Sequence, residues 1–213
     1  MNVVLLHAFP LDARMWERQG AVVATAVAPR LYGRGRTMDE WAESIANEVD
    51  GEVALVGASM GGYCALAFAR RFPGRVRGAL LVGARPDADS EERRAARAKT
   101  IALIRDEGPD ALWRDMVPKL YADERNADAR LLHRNADDLI GAVEAIRDRA
   151  DSTDVARGLG ERLRFVIGEH DSFVSPDEVG DFDVREVTGA GHLVNLERPD
   201  EFDALLEKFL ADV

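Results

Sequence analysis

VALVGASMGGYCALAFA, residues 53–69, is a largely apolar run broken by glycines around a single serine. Its first half reads as a buried strand and its second as a helix, so Gly57-Ala58-Ser59-Met60-Gly61 marks the junction between them. Packing alone requires no such arrangement. A serine nucleophile does: the strand-to-helix turn is sharp, the flanking positions must lack bulk, and the Oγ is held up at the strand's C-terminal end. The helix that opens behind Ser59 offers N–H groups that favour developing negative charge. The competing reading is a glycine-rich helix entry with an incidental serine.

A serine hydroxyl is a weak nucleophile until a base takes its proton. Of the four histidines, His192 stands in GAGHL, after the last expected strand and before the final helix, at the same sheet edge as Ser59. His7 closes the first strand, His133 lies in a helical stretch, and His170 sits beside acids. The base needs a carboxylate to hold its tautomer and stabilise the imidazolium. Asp171, ending RFVIGEHD, is at a strand C-terminus; Glu169 and Asp87 are its competitors. Two backbone N–H groups complete the set as an oxyanion hole, Met60 after the nucleophile and Phe9 in the HAFP loop after the first strand.

The chain has 213 residues, 46% of them hydrophobic and 31% charged, which suits one α/β domain with a sizeable core. A net charge of −11 argues against nucleic acid or an anionic membrane as partner. One cysteine, Cys64, forms no intramolecular disulfide and supplies no metal cluster. No metal and no cofactor are expected. The N-terminus lacks a charged n-region and no run approaches a membrane helix, so cytoplasmic residence is the expectation.

Six apolar runs read as strands: 3–9, 21–29, 52–58, 76–84, 163–169 and 183–189. Most are continuously apolar, as in parallel strands covered on both faces. Helical patterns between them imply a doubly wound α/β sheet with right-handed crossovers. Residues 87–157 break the rhythm with helices alone, forming an insertion over the sheet or a lid.

Five motifs now stand in order: HAFPLDARMW, VAPRLYGRGRT, GASMGG, GEHD and GAGH. Together they resemble the α/β-hydrolase superfamily over essentially the whole chain, in its small esterase and lactonase branch. That branch includes carboxylesterases, 3-oxoadipate enol-lactonases and carrier-protein methyl ester esterases. The resemblance implies an α/β-hydrolase fold of about six mainly parallel strands, the two leading strands of the family being absent, with residues 87–157 as a helical cap. It implies a Ser59, Asp171, His192 triad that cleaves small carboxylic esters or lactones through an acyl-enzyme. Ala8 stands where the family usually has glycine, and Arg30 where it often has aspartate. A slow-turnover ligand sensor and a cofactor-free perhydrolase use the same residues and are the alternatives. Trp16, Trp113, Met116 and Tyr121 are candidate substrate contacts, with Leu103, Leu120, Leu139, Val143 and Met60 as further wall candidates. The resemblance to carrier-protein esterases suggests that Arg93, Arg94, Arg97 and Lys99 receive an acidic carrier protein or a carboxylated substrate; the competing reading of this cluster, with acids beside it, is a solvated helix face.

Overall fold

Five parallel strands form one sheet in the order of the chain: β1 (Asn2–Leu6), β2 (Val53–Ala58), β3 (Val76–Val82), β4 (Leu163–Gly168) and β5 (Val184–Val187). The structure, a computed structural model, describes residues 1–213, apart from the side chains at 20 and 23. All six residues of β2 are buried, as a continuously apolar strand between two helical layers requires. Register runs from Leu6 opposite Gly57, through Ala58 opposite Val82, to Gly168 opposite Val187, so the C-terminal strand ends share one edge.

The helices follow in chain order: α1 (Gly20–Val23), α2 (Met38–Ala46), α3 (Met60–Arg71), α4 (Glu91–Glu107), α5 (Pro109–Leu120), α6 (Ala136–Arg147), α7 (Thr153–Leu159), α8 (Pro176–Val179), α9 (Val194–Glu197) and α10 (Pro199–Asp212). Their starts are chemically marked. Thr37 and Glu40 make a reciprocal capping box at α2, Ser90 caps α4 and Asn135 caps α6, while Pro109 and Pro199 open α5 and α10. Because each crossover steps to the next strand in the same direction, right-handed connections put α2, α3 and α7 together on one face. The 3-10 segment Ala13–Gln19 and α10 pack together on the other. No helix is long and apolar enough to cross a membrane.

The expected strand over 21–29 is not a strand. It contributes α1 and one parallel bridge, in which Val27 donates to Val3 O at 2.8 Å and accepts from Leu5 N at 2.9 Å. A continuous apolar run does not distinguish helix from strand, and Val27 is 37% exposed at the sheet edge, with nothing beyond it to extend the ladder. The sheet therefore has five strands where about six were expected. Between β3 and β4 the chain forms α4 to α7, as the sequence predicts, with α4 packed on both α5 and α6.

His7 closes β1 with no exposure to solvent. Its Nε2 accepts from Leu31 N at 3.0 Å, so Nδ1 carries the hydrogen, which is directed at Ala8 O 3.2 Å away. Burial depresses its pKa to about 4, against 6.5 ordinarily. The folded protein thus keeps His7 neutral while the unfolded chain protonates it below pH 6.5. The stability this provides is intact above pH 6.5 and is lost as pH falls toward 4. Urea denaturation at pH 6.5 and 5 should show about 1.5 kcal/mol lost through this residue. In His7→Asn that slope should fall by roughly 1 kcal/mol per pH unit; an unchanged slope would show that His7 is not the group responsible.

Candidate active site

Ser59 is the one non-glycine residue with positive φ among the described residues, at φ 49° and ψ −111°. Such a backbone costs on the order of 1–3 kcal/mol and persists only where its surroundings impose it. They do so here because α3 runs hard against β1: a Cβ on Gly61 would stand 2.1 Å from Leu6 O. Ser59 N donates to Val82 O at 2.7 Å, and its carbonyl accepts from Gly62 N and Tyr63 N to begin the helix. A serine at a helix N-cap ordinarily spends its Oγ on a capping bond. Ser59 makes none, so its hydroxyl is left uncommitted at the strand ends.

Asp171 follows β4 through a turn in which its N–H donates to Gly168 O at 3.0 Å. Its side chain is fully buried, and Oδ1 accepts from Phe173 N at 2.8 Å and Val174 N at 3.1 Å. Both carboxylate oxygens lie within reach of His192 Nδ1, at 2.9 and 2.8 Å. Nδ1 is thereby the protonated nitrogen, and Nε2 keeps a free lone pair, the form a general base needs. The imidazole is seated on Gly83, where a Cβ would come 2.7 Å from Nδ1, and beneath the Phe173 ring at a centroid distance of 4.7 Å.

The competing residues are engaged elsewhere. Glu169 accepts from Gly189 N at 2.8 Å and is partly exposed, and Asp87 is held by Arg85 and Arg93. His133 pairs with Asp138 at 2.8 Å, and His170 is exposed. The N–H groups of Phe9 and Met60 have no protein acceptor among the described residues, while Ala8 N is taken by Met15 Sδ at 3.1 Å. Arg30 pairs with Asp138 on α6 at 2.5 Å. The loop it begins is tied to the Phe9 loop by Leu31 N on His7 and by Tyr32 Oη donating to Leu11 O at 2.8 Å.

A cavity of about 580 Å³ is lined by Phe9, Tyr63, Met116 and Phe173 among others, and through Phe173, which packs on His192, it adjoins the triad residues without being lined by Ser59 or His192. Of the four candidate substrate contacts, Met116 lines it. Trp16 does not: it is fully buried on the other face, its ring 6.0 Å from Phe202 of α10. Trp113 and Tyr121 do not either; their rings meet edge-on at 6.4 Å, and Tyr121 Oη is buried without a partner. Leu103 is in the wall, whereas Leu120, Leu139, Val143 and Met60 are core. Tyr63 and Phe173 were not anticipated, although one lies a helical turn after Ser59 and the other two residues after Asp171. Among the described residues no three His, Cys, Asp or Glu side chains are arranged to hold a metal ion.

Glu197 is a further residue that sequence reasoning passes over. Its buried carboxylate accepts from Gly191 N at 2.6 Å, Ala122 N at 3.2 Å, Asp123 N at 3.0 Å and Asn126 Nδ2 at 3.3 Å. His192 N also donates to Leu120 O at 3.0 Å. The histidine loop and the chain leaving α5 are thus fastened to each other.

Comparison with known proteins places these features. A pimeloyl-[acyl-carrier protein] methyl ester esterase of Aromatoleum aromaticum is 32% identical over 94 residues, covering 40% of this chain and 38% of that enzyme. The match therefore spans well under half of that relative's length. A 2-succinyl-6-hydroxy-2,4-cyclohexadiene-1-carboxylate synthase of Enterobacter sp. is 26% identical over 242 residues, covering 98% of this chain and 91% of the synthase. Among solved structures, a thermophilic esterase from Thermogutta terrifontis superposes with a TM-score of 0.86 at 27% identity, covering 100% of this chain and 90% of its own. The enol-lactonase from Burkholderia xenovorans superposes at 0.82 with 22% identity, covering 98% and 90%, which speaks for the fold. The alpha/beta hydrolase family profile matches residues 3–205, and with the parallel sheet and its serine turn after β2 the chain belongs to that family.

Proposed function

We propose that the chain is a carboxylic ester hydrolase in which Ser59, His192 and Asp171 act as nucleophile, base and orienting acid on small esters or lactones. The observation that carries this reading is the buried Asp171–His192 pair, which fixes the proton on Nδ1 at the sheet edge where Ser59 presents an uncapped hydroxyl. Two of the similar proteins, the Aromatoleum carrier-protein methyl ester esterase and the Thermogutta esterase, are ester hydrolases, which supports this reading.

In this mechanism Ser59 Oγ adds to the ester carbonyl carbon while His192 Nε2 takes its proton. The carbonyl oxygen becomes an oxyanion between the free N–H groups of Phe9 and Met60, at the positive end of α3. Collapse breaks the bond to the alkoxy oxygen, which leaves with the proton from His192. Water then attacks the acyl-serine with His192 again as base, releasing the acid and restoring Ser59. For a lactone the leaving alcohol stays tethered to the acyl group. The Asp171 carboxylate keeps its hydrogen bond from Nδ1 throughout and stabilises the imidazolium. The helices α4 to α6 serve as the cap that excludes water from the cavity within what we take to be a single domain.

Glu197 acts as a positioning residue in this scheme, since it holds the loop that carries His192. Hydrolysis of p-nitrophenyl esters by Ser59→Ala should fall to background, a loss on the order of a million-fold in kcat, and turnover equal to wild type would overturn the reading. Asp171→Asn should lose about 10⁴-fold in kcat because the tautomer is no longer fixed. Glu197→Gln replaces an acceptor oxygen with an NH2 that opposes the N–H donors. It should lower kcat by on the order of 10²-fold with little change in KM, and displace the acid limb of the kcat–pH profile. A variant that loses thermal stability but keeps kcat and the profile would show Glu197 to be structural alone.

A further inference from the structure

The cavity beside the proposed site has two unlike halves. Phe9, Tyr63, Met116 and Phe173 make an apolar part of its lining, and Phe173 packs on His192. The remaining wall carries five cationic side chains, Arg85, Arg93, Arg97, Lys99 and Lys119, against two acids, Asp89 and Asp115. Such an excess is unusual in a chain whose net charge is −11, and two of the five, Arg93 and Arg97, share one face of α4. Arg93, Ala96, Arg97, Thr100 and Leu103 recur at helical spacing along α4 and all face the cavity. Arg94 belongs to a different surface, where it reaches Arg147 O at 2.9 Å and Asp148 at 2.8 Å, so the basic group expected from the sequence is redrawn without it and with Lys119.

Carboxylates pair with the three arginines of this wall, which leaves its two lysines as the least compensated cations. Asp89 is fully buried and already serves Arg149 at 2.6 Å, Arg97 at 3.1 Å and Arg93 at 3.9 Å. Asp87 takes both Arg85 and the far end of Arg93, Glu178 takes Arg85, and the buried Nε of Arg93 makes no hydrogen bond. Lys99 makes no ion pair among the described residues, and Lys119 has a half-exposed partner one turn away on α5, Asp115 at 2.7 Å, the kind of surface pair that holds weakly. A neutral substrate filling this space would strip water from cations and give nothing in return, whereas an anionic group would compensate them.

We propose, on the basis of the hydrolase reading above, that the site takes esters or lactones bearing a second, non-reacting carboxylate, which the cations of α4 and α5 hold while the ester carbonyl lies at Ser59. A site built around a charged group rejects an analogue lacking it far more strongly than an apolar pocket rejects a shortened chain.

The test pairs monomethyl glutarate with methyl valerate, which differ at the far end of the acyl chain. At low ionic strength kcat/KM should favour the glutarate ester by at least tenfold, and added salt should shrink the preference. The preference should also fall in Lys99→Gln/Lys119→Gln. Lys208→Gln on α10 removes a charge far from the cavity and should keep the wild-type ratio. Calorimetric titration of glutarate into Ser59→Ala reads anion capture without turnover; binding that disappears in Lys99→Gln/Lys119→Gln is expected, with valerate not bound. Equal turnover of the two esters, or no glutarate binding, overturns this inference while Ser59-dependent hydrolysis of methyl valerate leaves the hydrolase reading standing. Glutarate binding with neither ester nor lactone turned over would do the reverse.

Discussion

The passage of α3 over β1 is the constraint on which the remaining architecture rests. At Gly61 the two backbones approach so closely that a single added carbon would sit 2.1 Å from Leu6 O. That contact sets how sharply the chain turns after β2, and the sharpness of the turn forces Ser59 into its left-handed conformation. The strain is localised where the uncapped hydroxyl emerges, and both flanking strands help hold it, β1 through the close approach and β3 through the bond from Ser59 N to Val82 O. Everything proposed for the site requires those three strands to end together, which the pairing of Leu6 with Gly57 and of Ala58 with Val82 provides, the one register shift between β2 and β3 lying at their far ends, between Val53 and Ala54.

The second layer of organisation is polar. Asp171 is bound by two backbone N–H groups of its own turn before it meets His192, so its carboxylate is oriented by local structure. His192 receives its place from long-range partners: Leu120 O on its N–H, Gly83 under its ring and Glu197 on the preceding residue. The acid is therefore fixed by its neighbours in sequence, whereas the base takes one of its supports, Leu120 O, from the helical segment between β3 and β4. A rearrangement of that segment would reach the imidazole before it reached the carboxylate.

What the sequence disclosed follows the same division. GASMGG and GEHD are legible because their chemistry is that of single turns, in which small residues and a carboxylate act on groups a few positions away. The run at 21–29 misled because apolarity without alternation carries no period, and one bridge at Val27 is all the sheet takes from it. Trp16 was placed near the site by its closeness in sequence to Phe9, yet its ring turns toward α10 on the opposite face. Glu197 reads as one more surface charge in LERPDEF; its role depends on Ala122, Asp123 and Asn126, more than seventy positions away, and no local pattern announces such pairing. On α4 the basic residues were visible, but which of them share the cavity face was decided by how the helix is rotated against α5 and α6.

The bridge at Val27 also bears on what the sheet does toward other chains. By donating its N–H to Val3 O and accepting from Leu5 N on its carbonyl, Val27 occupies main-chain groups that β1 would otherwise turn outward. At the far edge β5 is four residues long, and its two central positions, Arg185 and Glu186, stand exposed with opposite charge. Short, charged margins of this kind resist the addition of a foreign strand. A sheet with so apolar an interior is in this way shielded at both margins against growing into an aggregate.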